Sequence, residues 1–280
     1  MSQRWKTLSI FIPEWDVNGV KIADINVSVV KAIYVPRSHL SKWLERKELK
    51  QPWIYFLFWA KDDFGKQEVY IGESDKLFVR LKQHNASKDF WEVAICFVSE
   101  KNNLTKAHIK FLENYCDQIC KENSFIELKS CNTPSPSQLD ESNTEFCYSF
   151  FDDLKAILGT LGFPIFEIKK VEKNDQLICA GKWKTAYWYY QNGAILVLKG
   201  SEAWWGKEVQ SAWKWVIWSR EALLKQWVLS KKDANTYIFT KDYVFSSLST
   251  AAAVVLGRRS NGWLQWKQKN GKTIDEIMRK

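Results

Sequence analysis

Apolar residues in the first part of the chain occur in short runs separated by polar turn signals. Two of these runs, at residues 10–12 and 20–22, flank Asn18-Gly19, a pair that is typical of tight turns between antiparallel strands. A third apolar run covers residues 29–35. The pattern predicts that residues 1–50 form a β-rich N-terminal extension with a hairpin turn at Asn18-Gly19.

The next stretch, residues 51–130, alternates between strand and helix patterns. Continuous apolar runs predict three strands, and apolar residues at helical spacing predict two helices. The strands are expected at residues 54–59, 69–72 and 93–98, and the helices at residues 75–85 and 104–121. We therefore expect a small mixed or antiparallel sheet flanked by helices.

The pattern changes again after residue 130. Residues 131–169 begin with a proline-containing stretch of linker composition and continue as a helix over residues 146–158. Residues 170–280 contain patterns for a buried strand at 194–198, a helix at 213–228 and a helix of small residues at 249–257. The predicted fold class is therefore α+β, with a second α+β domain at the C-terminal end.

The length of 280 residues is sufficient for two domains with separate cores. The chain has no apolar run of membrane-spanning length, and its first residues lack the apolar core of a signal peptide, so we expect a cytoplasmic protein without membrane contact. The cysteines form no Cys-x-x-Cys pair and have no zinc-like spacing, which favours reduced and buried thiols. They are Cys96, Cys116, Cys120, Cys131, Cys147 and Cys179.

The net charge of +9 is distributed unevenly. Residues 1–52 carry 9 Lys and Arg against 5 Asp and Glu, residues 53–169 carry 13 against 18, and residues 170–280 carry 19 against 9. The corresponding balances are +4, −5 and +10. The middle segment therefore does not attract a polyanion through its overall charge, whereas the C-terminal segment can.

Residues 53–113 contain side chains suited to the cleavage of a phosphodiester. Tyr55 and Tyr70 lie in two neighbouring predicted strands, Arg80 and His84 lie one turn apart on the next helix, and Glu113 lies on a later helix. The tyrosines belong to the triplets Trp-Ile-Tyr and Tyr-Ile-Gly, and Arg80 follows Tyr70 by ten residues. This ordered set resembles the GIY-YIG nuclease superfamily.

The resemblance implies a role for each of these side chains. Arg80 would hold two phosphate oxygens as negative charge builds on them. Glu113 would be the main protein ligand for Mg²⁺ or Mn²⁺. Tyr55 and Tyr70 would position and deprotonate the attacking water, with no division of these roles between them, and His84 is the other candidate base.

The residue patterns by themselves also admit structural explanations. Without the resemblance, Arg80 and His84 fit the pattern of solvated surface side chains. Glu113 fits equally well as the partner of Lys110 in a surface ion pair. His108 falls on the apolar face of its helix, and we expect it to contribute to packing.

The C-terminal segment resembles a domain of unknown function through three short motifs. They are Val-Leu-Lys-Gly-Ser at residues 197–201, Phe-Ser-Ser-x-Ser-x-Ala-Ala at residues 245–252 and Asn-Gly-Trp-x-x-Trp-Lys at residues 261–267. Because this segment is basic, we expect it to bind DNA, with RNA as an open alternative. The predicted phosphate contacts are Arg258, Arg259, Lys267, Lys269 and Lys272.

The chain departs from the resembling proteins at several positions. The late polar residue of the nuclease family aligns with either Ser130 or Asn132. Trp53 replaces the glycine of the first triplet, where an indole would crowd the floor of the cleft, and Trp15 and Trp227 also stand at glycine positions. The chain has 16 Trp and 12 Gly, against about 20 Gly at an average usage of roughly 7%. One hypothesis is that some of these tryptophans are glycines read through a reassigned UGA codon; genuine tryptophans in a divergent protein are the open alternative.

These observations predict a divalent-metal-dependent endonuclease that hydrolyses DNA phosphodiester bonds. The alternative is a nucleic-acid-binding protein with an inactive or vestigial GIY-YIG site. A third class is a protein-interaction module fused to a degenerate nuclease. Nicking that depends on Mg²⁺ separates the first class from the other two, and salt-sensitive DNA binding separates the second from the third.

Overall fold

The computed structural model describes residues 5–43, 52–60, 67–87, 91–123, 126–129, 137–167, 177–181, 184–191, 194–204 and 214–278. The chain divides into two compact units, and each is described by itself below. The first unit comprises Met1–Ala60 and Gln67–Ile168, and the second consists mainly of Lys169–Lys280. Both units combine helices with sheets, so the predicted α+β class is confirmed.

The first unit contains a seven-stranded sheet. Its strands are β1 (Leu8–Phe11), β2 (Lys21–Ile25), β3 (Val30–Pro36), β4 (Trp53–Trp59), β5 (Gln67–Ser74), β6 (Trp91–Ser99) and β7 (Ile126–Leu128). They are arranged in the order β1-β2-β3-β6-β4-β5-β7, and every neighbouring pair is antiparallel except β5 and β7. Because β3 is hydrogen-bonded to β6, the strands predicted as an N-terminal extension continue the same sheet.

The connection between β1 and β2 is longer than a hairpin turn. β1 ends at Phe11 and β2 begins at Lys21. Within this loop Asp16 closes a local turn, because its side chain accepts a hydrogen bond from the Asn18 N–H at 2.9 Å and its carbonyl accepts one from the Gly19 N–H at 2.9 Å. The tight turn predicted at Asn18-Gly19 is therefore confirmed, but it forms only part of a longer loop between the two antiparallel strands.

Helices lie on both sides of this sheet, and none of the described helices is long and apolar enough to cross a membrane. They are α1 (Leu40–Trp43), α2 (Leu77–Ser87), α3 (Lys106–Glu122) and α4 (Glu141–Thr160). In β4, Tyr55 joins a hydrophobic layer that contains Leu77 of α2, whereas Phe56 joins a second layer that contains Leu112 of α3. Since side chains of a strand alternate between its faces, α2 and α3 lie on opposite faces of the sheet.

The described cysteines agree with the prediction of buried thiols. Cys96, Cys116, Cys120, Cys147 and Cys179 are all free and buried, whereas Cys131 lies outside the described residues. Burial raises the pKa of Cys147 to about 12 and likewise raises the pKa of Cys179 to about 12. These groups therefore remain protonated thiols near neutral pH.

The second unit has two small antiparallel sheets and four helices. The first sheet has the order β14-β10-β9-β8-β15, with β8 (Leu177–Gly181), β9 (Lys184–Gln191), β10 (Ala194–Val197), β14 (Tyr243–Phe245) and β15 (Trp266–Lys267). The second has the order β11-β13-β12, with β11 (Glu202–Trp204), β12 (Leu229–Asp233) and β13 (Thr236–Phe239). The helices are α5 (Lys214–Lys225), α6 (Leu248–Leu256), α7 (Gly262–Gln265) and α8 (Ile274–Met278).

A buried arginine joins α5 to the C-terminal end of α6. The Arg220 side chain is fully buried, and its Nε donates a hydrogen bond to the Val254 carbonyl at 2.8 Å. The last carbonyls of a helix lack partners within the helix and carry partial negative charge, so a guanidinium stabilises this end. Burial lowers the pKa of Arg220 to about 10, and the side chain remains charged at neutral pH. Gly257 then ends α6 with a left-handed φ of 70°.

Trp15 and Trp227 have positive φ angles, which are uncommon for residues other than glycine. Trp227 follows α5 in a Schellman motif, in which its N–H donates to the Leu224 carbonyl at 3.1 Å and the Val228 N–H donates to the Leu223 carbonyl at 2.9 Å. The φ of Trp227 is 55° and that of Trp15 is 54°, a left-handed region that favours glycine. The two residues are 79% and 89% exposed, so packing of the indole does not offset this strain.

Trp53 differs from these two residues. It is the first residue of β4, it is fully buried, and it belongs to the hydrophobic layer that contains Trp43 and Leu77. Its φ is not positive. The indole therefore fills the core and does not form the floor of a cleft, which corrects the expectation from the sequence. Its buried N–H has no hydrogen-bond partner among the described residues.

We predict that the native protein carries glycine at positions 15 and 227. Its intact mass should then be lower than the written sequence requires, and peptide sequencing should locate the difference at these positions. In the protein as written, Trp15→Gly and Trp227→Gly should each raise the free energy of unfolding by about 1 kcal/mol, because left-handed strain is removed. Urea unfolding measures this change.

Trp53→Gly serves as the contrasting variant. Removing a fully buried indole should lower the free energy of unfolding by at least about 3 kcal/mol. A native mass equal to that of the written sequence, together with no gain in stability from Trp227→Gly, would contradict the prediction.

Candidate active site

The strands β4 and β5 bring two tyrosines together around a glycine. Tyr55 in β4 lies directly opposite Gly72 in β5. A Cβ atom at Gly72 would be 2.5 Å from the Tyr55 hydroxyl oxygen and 2.8 Å from the Tyr70 ring. Because such distances are shorter than any real Cβ contact, only glycine at this position leaves room for both rings.

The helix α2 adds Arg80 and His84 to the tyrosines. The buried His84 places Nε2 at 2.8 Å from the Tyr55 hydroxyl oxygen, and Nε of the more exposed Arg80 donates to the same oxygen at 3.4 Å. The His84 ring is 5.0 Å from the Tyr70 ring in an edge-on arrangement. Four of the five predicted catalytic side chains therefore form one hydrogen-bonded cluster on the α2 face of the sheet.

The electrostatics of this cluster favour a neutral Tyr55 beside a cationic Arg80. Burial, followed by the nearby Tyr70 phenol, raises the pKa of Tyr55 well above its usual range, and the hydrogen bond from Arg80 opposes the shift. The pKa of Arg80 is raised chiefly by its hydrogen bond to Tyr55 and also by one to Tyr70. Tyr55 is fully buried, whereas Tyr70 is partly exposed, so Tyr70 is the phenol that meets solvent.

Glu113 occupies a different position from the other four residues. It lies on α3, on the opposite face of the sheet, and Glu73 in β5 is close enough for its backbone and its carboxylate to affect the Glu113 pKa. Since Glu73 directly follows Gly72, Glu113 lies near the residue of β5 that comes after the one contacted by Tyr55. Burial raises the pKa of Glu113 to about 7, with further increases from Glu73 and Asp117 and an opposing effect from Lys106.

Two lysines partly neutralise the acidic groups around Glu113. Lys106 forms an ion pair with Glu73 and lies 3.3 Å from an Asp75 oxygen. The buried Asp117 pairs with Lys121 at 2.5 Å. The Glu113–Lys110 surface pair that the sequence left open is not among the ion pairs found in the described residues, and Lys106 is the lysine that acts on the Glu113 pKa.

The donor atoms near Glu113 fit a hard divalent cation that keeps most of its water. The described residues contain no group of three or more His, Cys, Asp or Glu side chains arranged to hold a metal. Mg²⁺ in nuclease-type sites commonly uses one or two carboxylates together with waters and substrate oxygens. Glu113 with Glu73 can supply such a set, and the electrostatic repulsion that raises the Glu113 pKa is what a bound cation would relieve.

The other residues discussed from the sequence divide into structural and undescribed groups. His108 is buried and accepts a hydrogen bond from the Thr105 N–H at 3.1 Å through Nδ1, while Nε2 is 2.8 Å from Asn143 Oδ1. These contacts confirm a structural role at the start of α3. Ser130 and Asn132 lie outside the described residues.

The predicted phosphate contacts of the second unit are exposed and close together in the chain. Arg258 and Arg259 follow α6, and Lys267 lies in β15. Lys269 and Lys272 belong to the turn after β15, which closes through a hydrogen bond from the Gln268 N–H to the Lys272 carbonyl at 2.8 Å and contains Gly271 at a φ of 86°.

Comparison with known proteins identifies the C-terminal segment. The family described as "Domain of unknown function (DUF4357)" matches residues 177–278. This match covers the segment whose motifs resemble a domain of unknown function, and it lies within the second unit. No curated protein and no solved structure gives a significant match. The resemblance of the first unit to GIY-YIG nucleases stays a prediction.

Glu73 and Lys106 are the neighbours of Glu113 that the sequence analysis missed. The signal for Glu73 was present, because it directly follows the Tyr-Ile-Gly triplet and its place in β5 points it to the face that α3 covers. Lys106 carried no such signal, since its contact with Glu73 spans 33 residues.

Gly72→Ala should destabilise the protein by about 1–3 kcal/mol, because the added methyl group forces the two tyrosine rings apart. Gly159→Ala is the matched control. A Cβ atom at Gly159 would meet only a glutamate oxygen at 3.6 Å, and alanine is favoured within a helix such as α4. Urea unfolding measures the stability of both variants, and equal stabilities would contradict the close approach of the tyrosine rings to Gly72.

Stability without metal should fall as pH rises through about 7, because the folded pKa of Glu113 is near that value and its ordinary value is 4.5. The neutral carboxyl is favoured in the folded protein, so its contribution is fully present below pH 4.5 and is lost as the group ionises in the buried site. Glu113→Gln should remove this dependence, and Glu122→Gln, an exposed change on the same helix, should retain it. Urea midpoints at several pH values in a chelator measure the effect, and parallel profiles for all three proteins would refute it.

Proposed function

We propose that the protein is a divalent-metal-dependent endonuclease that hydrolyses DNA phosphodiester bonds. The observation that carries the proposal is the cluster of Tyr55, Tyr70, Arg80 and His84 at Gly72, with Glu113 near Glu73, the next residue of the same strand. These are the side chains that the resemblance to GIY-YIG nucleases assigns to catalysis. The free, buried cysteines support a cytoplasmic location.

Arg80 is suited to hold the scissile phosphate. It is the exposed member of the cluster, and its hydrogen bonds to the two phenols fix the orientation of its guanidinium. A planar guanidinium can donate two parallel hydrogen bonds to phosphate oxygens, which strengthen as charge develops in the transition state. Arg80 would therefore stabilise the transition state more than the bound substrate.

The two tyrosines and His84 can remove the proton from the attacking water by a relay. Water attacks phosphorus as its proton passes to the Tyr70 oxygen, the Tyr70 proton passes to Tyr55, and the Tyr55 proton passes to His84 Nε2. The hydrogen bond between the phenols and the 2.8 Å contact to His84 support this path. No phenolate has to persist, which agrees with the raised pKa of Tyr55, and His84 is the final base.

The metal requirement rests on Glu113. Glu113, together with Glu73, would hold Mg²⁺ or Mn²⁺, which when bound would polarise the phosphate and stabilise the leaving oxygen. Lys106 would then release Glu73 or remain as a neighbouring positive charge.

The second candidate is a nucleic-acid-binding protein with an inactive site. It is favoured by one observation, namely that Glu113 lies on the opposite face of the sheet from the other four side chains, with Glu73, Asp117 and Lys106 as its charged neighbours. Nicking of plasmid DNA that requires Mg²⁺ separates the two candidates.

Arg80→Lys, Glu113→Gln and Tyr55→Phe should each reduce the rate of plasmid nicking in Mg²⁺ by roughly 100-fold or more, because each removes an interaction of the transition state or a step of the relay. Lys82→Gln on α2 and Glu122→Gln on α3 are the matched controls, and they should remain within a few fold of the parent. If Arg80→Lys and Glu113→Gln cut as well as their controls, the site is assigned incorrectly.

DNA affinity should come from the second unit, because residues 170–280 carry a balance of +10 and residues 53–169 a balance of −5. A fragment of residues 170–280 has its own hydrophobic core and should bind duplex DNA with an affinity that falls steeply with salt. A fragment of residues 53–169 should bind poorly. Fluorescence anisotropy at two salt concentrations measures both, and tight binding by the acidic fragment would contradict the prediction.

A further inference from the structure

The second unit contains a surface cavity that most of the predicted phosphate contacts do not line. Its volume is about 360 Å³, which is within the range of small-ligand sites. Five residues line it, namely Trp215, Ser249, Arg259, Ser260 and Asn261. Of the five predicted phosphate contacts, Arg259 lines this cavity, whereas its neighbour Arg258 does not belong to the lining.

The cavity forms where two of the family motifs meet. A Cβ atom at Gly262 would be 2.1 Å from the Leu248 carbonyl carbon, so only glycine lets α7 approach the first turn of α6 this closely. The Gly262 N–H donates to Ser249 Oγ at 3.2 Å, and the Trp266 indole N–H donates to the Leu248 carbonyl at 3.0 Å. These contacts hold the segment before α7, including Asn261, against the start of α6.

The lining combines groups that bind phosphate with one that binds a base. A guanidinium, the Ser249 hydroxyl and an amide can donate hydrogen bonds to phosphate oxygens, whereas the Ser260 hydroxyl donates to the Arg258 carbonyl at 3.1 Å. The described residues that line the cavity include no Asp or Glu, so no carboxylate repels an anion there. The Trp215 side chain is 38% exposed, and an exposed indole offers a face on which a nucleobase can stack.

We propose that this cavity binds one unpaired nucleotide of a nucleic-acid strand, with its phosphate at Arg259 and its base against Trp215. A base in a duplex is stacked on its neighbours and its faces are covered, so stacking on Trp215 requires an unpaired base. The proposal rests on the proposed function for its biological setting, since it gives the DNA-binding unit a preference for single-stranded or unpaired DNA. The binding chemistry is independent of cleavage.

The test measures binding by the full chain carrying Glu113→Gln, so that cleavage plays no part. The probes are a short fluorescent single strand and the duplex of the same sequence, followed by anisotropy. Arg259→Gln should weaken binding of the single strand by about ten-fold or more, and Lys241→Gln, which removes one exposed positive charge that does not line the cavity, by less than about three-fold. Trp215→Leu should weaken binding of the single strand by about ten-fold but change duplex binding less than about two-fold.

Trp215→Phe retains an aromatic face and should preserve most of the single-strand affinity, which separates stacking from a loss of folding. Equal losses for Lys241→Gln and Arg259→Gln would show only a general effect of charge and would overturn the proposal. Equal effects of Trp215→Leu on single strand and duplex would also overturn it. If the parent protein nicks DNA but the binding tests fail, the cavity is assigned incorrectly and the nuclease function stands. If the binding tests succeed but the parent protein does not nick DNA, the cavity is assigned correctly and the nuclease function is rejected.

Discussion

The close approach of the Tyr55 hydroxyl to Gly72 is the contact on which the candidate site depends. The antiparallel register of β4 and β5 places these residues opposite each other, and the absence of a side chain at Gly72 lets the phenol lie over the backbone. The hydroxyl oxygen then becomes a common partner for His84 and Arg80 of α2. A side chain at position 72 would displace this oxygen and separate the members of the cluster.

The sheet separates the site into two electrostatic environments. The α2 face holds two phenols, an imidazole and the guanidinium of Arg80, whereas the α3 face holds Glu113, whose pKa burial raises to about 7, with Glu73 and Asp117 nearby. The two environments meet at the end of β5, where Gly72 and Glu73 are consecutive residues. Such an arrangement suits a phosphodiester, since one side offers hydrogen-bond donors to its oxygens and the other offers carboxylates that can hold a cation.

Close contacts also shape the second unit, but they join helices. Gly262 lets α7 lie against the first turn of α6, and Arg220 supports the other end of α6 through the Val254 carbonyl. Both ends of this small-residue helix are therefore held by polar contacts. Its start, with Ser249, is fixed well enough to form one wall of a cavity beside Arg259.

The sequence alone determined most of the regular elements of the first unit and the α+β class. The strands around Tyr55 and Tyr70 and the helices with Arg80 and Glu113 were predictable because strand and helix periodicities are local properties of a chain. The short strands β8 and β15 were not predicted, since so few residues carry too weak a pattern. The length of the loop around Asp16 was not predicted, because an Asn-Gly pair indicates a turn but does not fix where the flanking strands end.

Only the tertiary structure decided which side chains touch. It placed Tyr55 inside and Tyr70 at the surface, it assigned Glu73 and Lys106 to the surroundings of Glu113, and it put Trp53 in the core while leaving Trp15 and Trp227 exposed in left-handed backbone. Burial, and the contact of residues far apart in the chain, depend on how the layers of the fold meet. Periodicity along the chain carries no information about how the layers of the fold pack together. The pKa of Glu113 and the hydrogen bonds around Tyr55 are direct consequences of this packing.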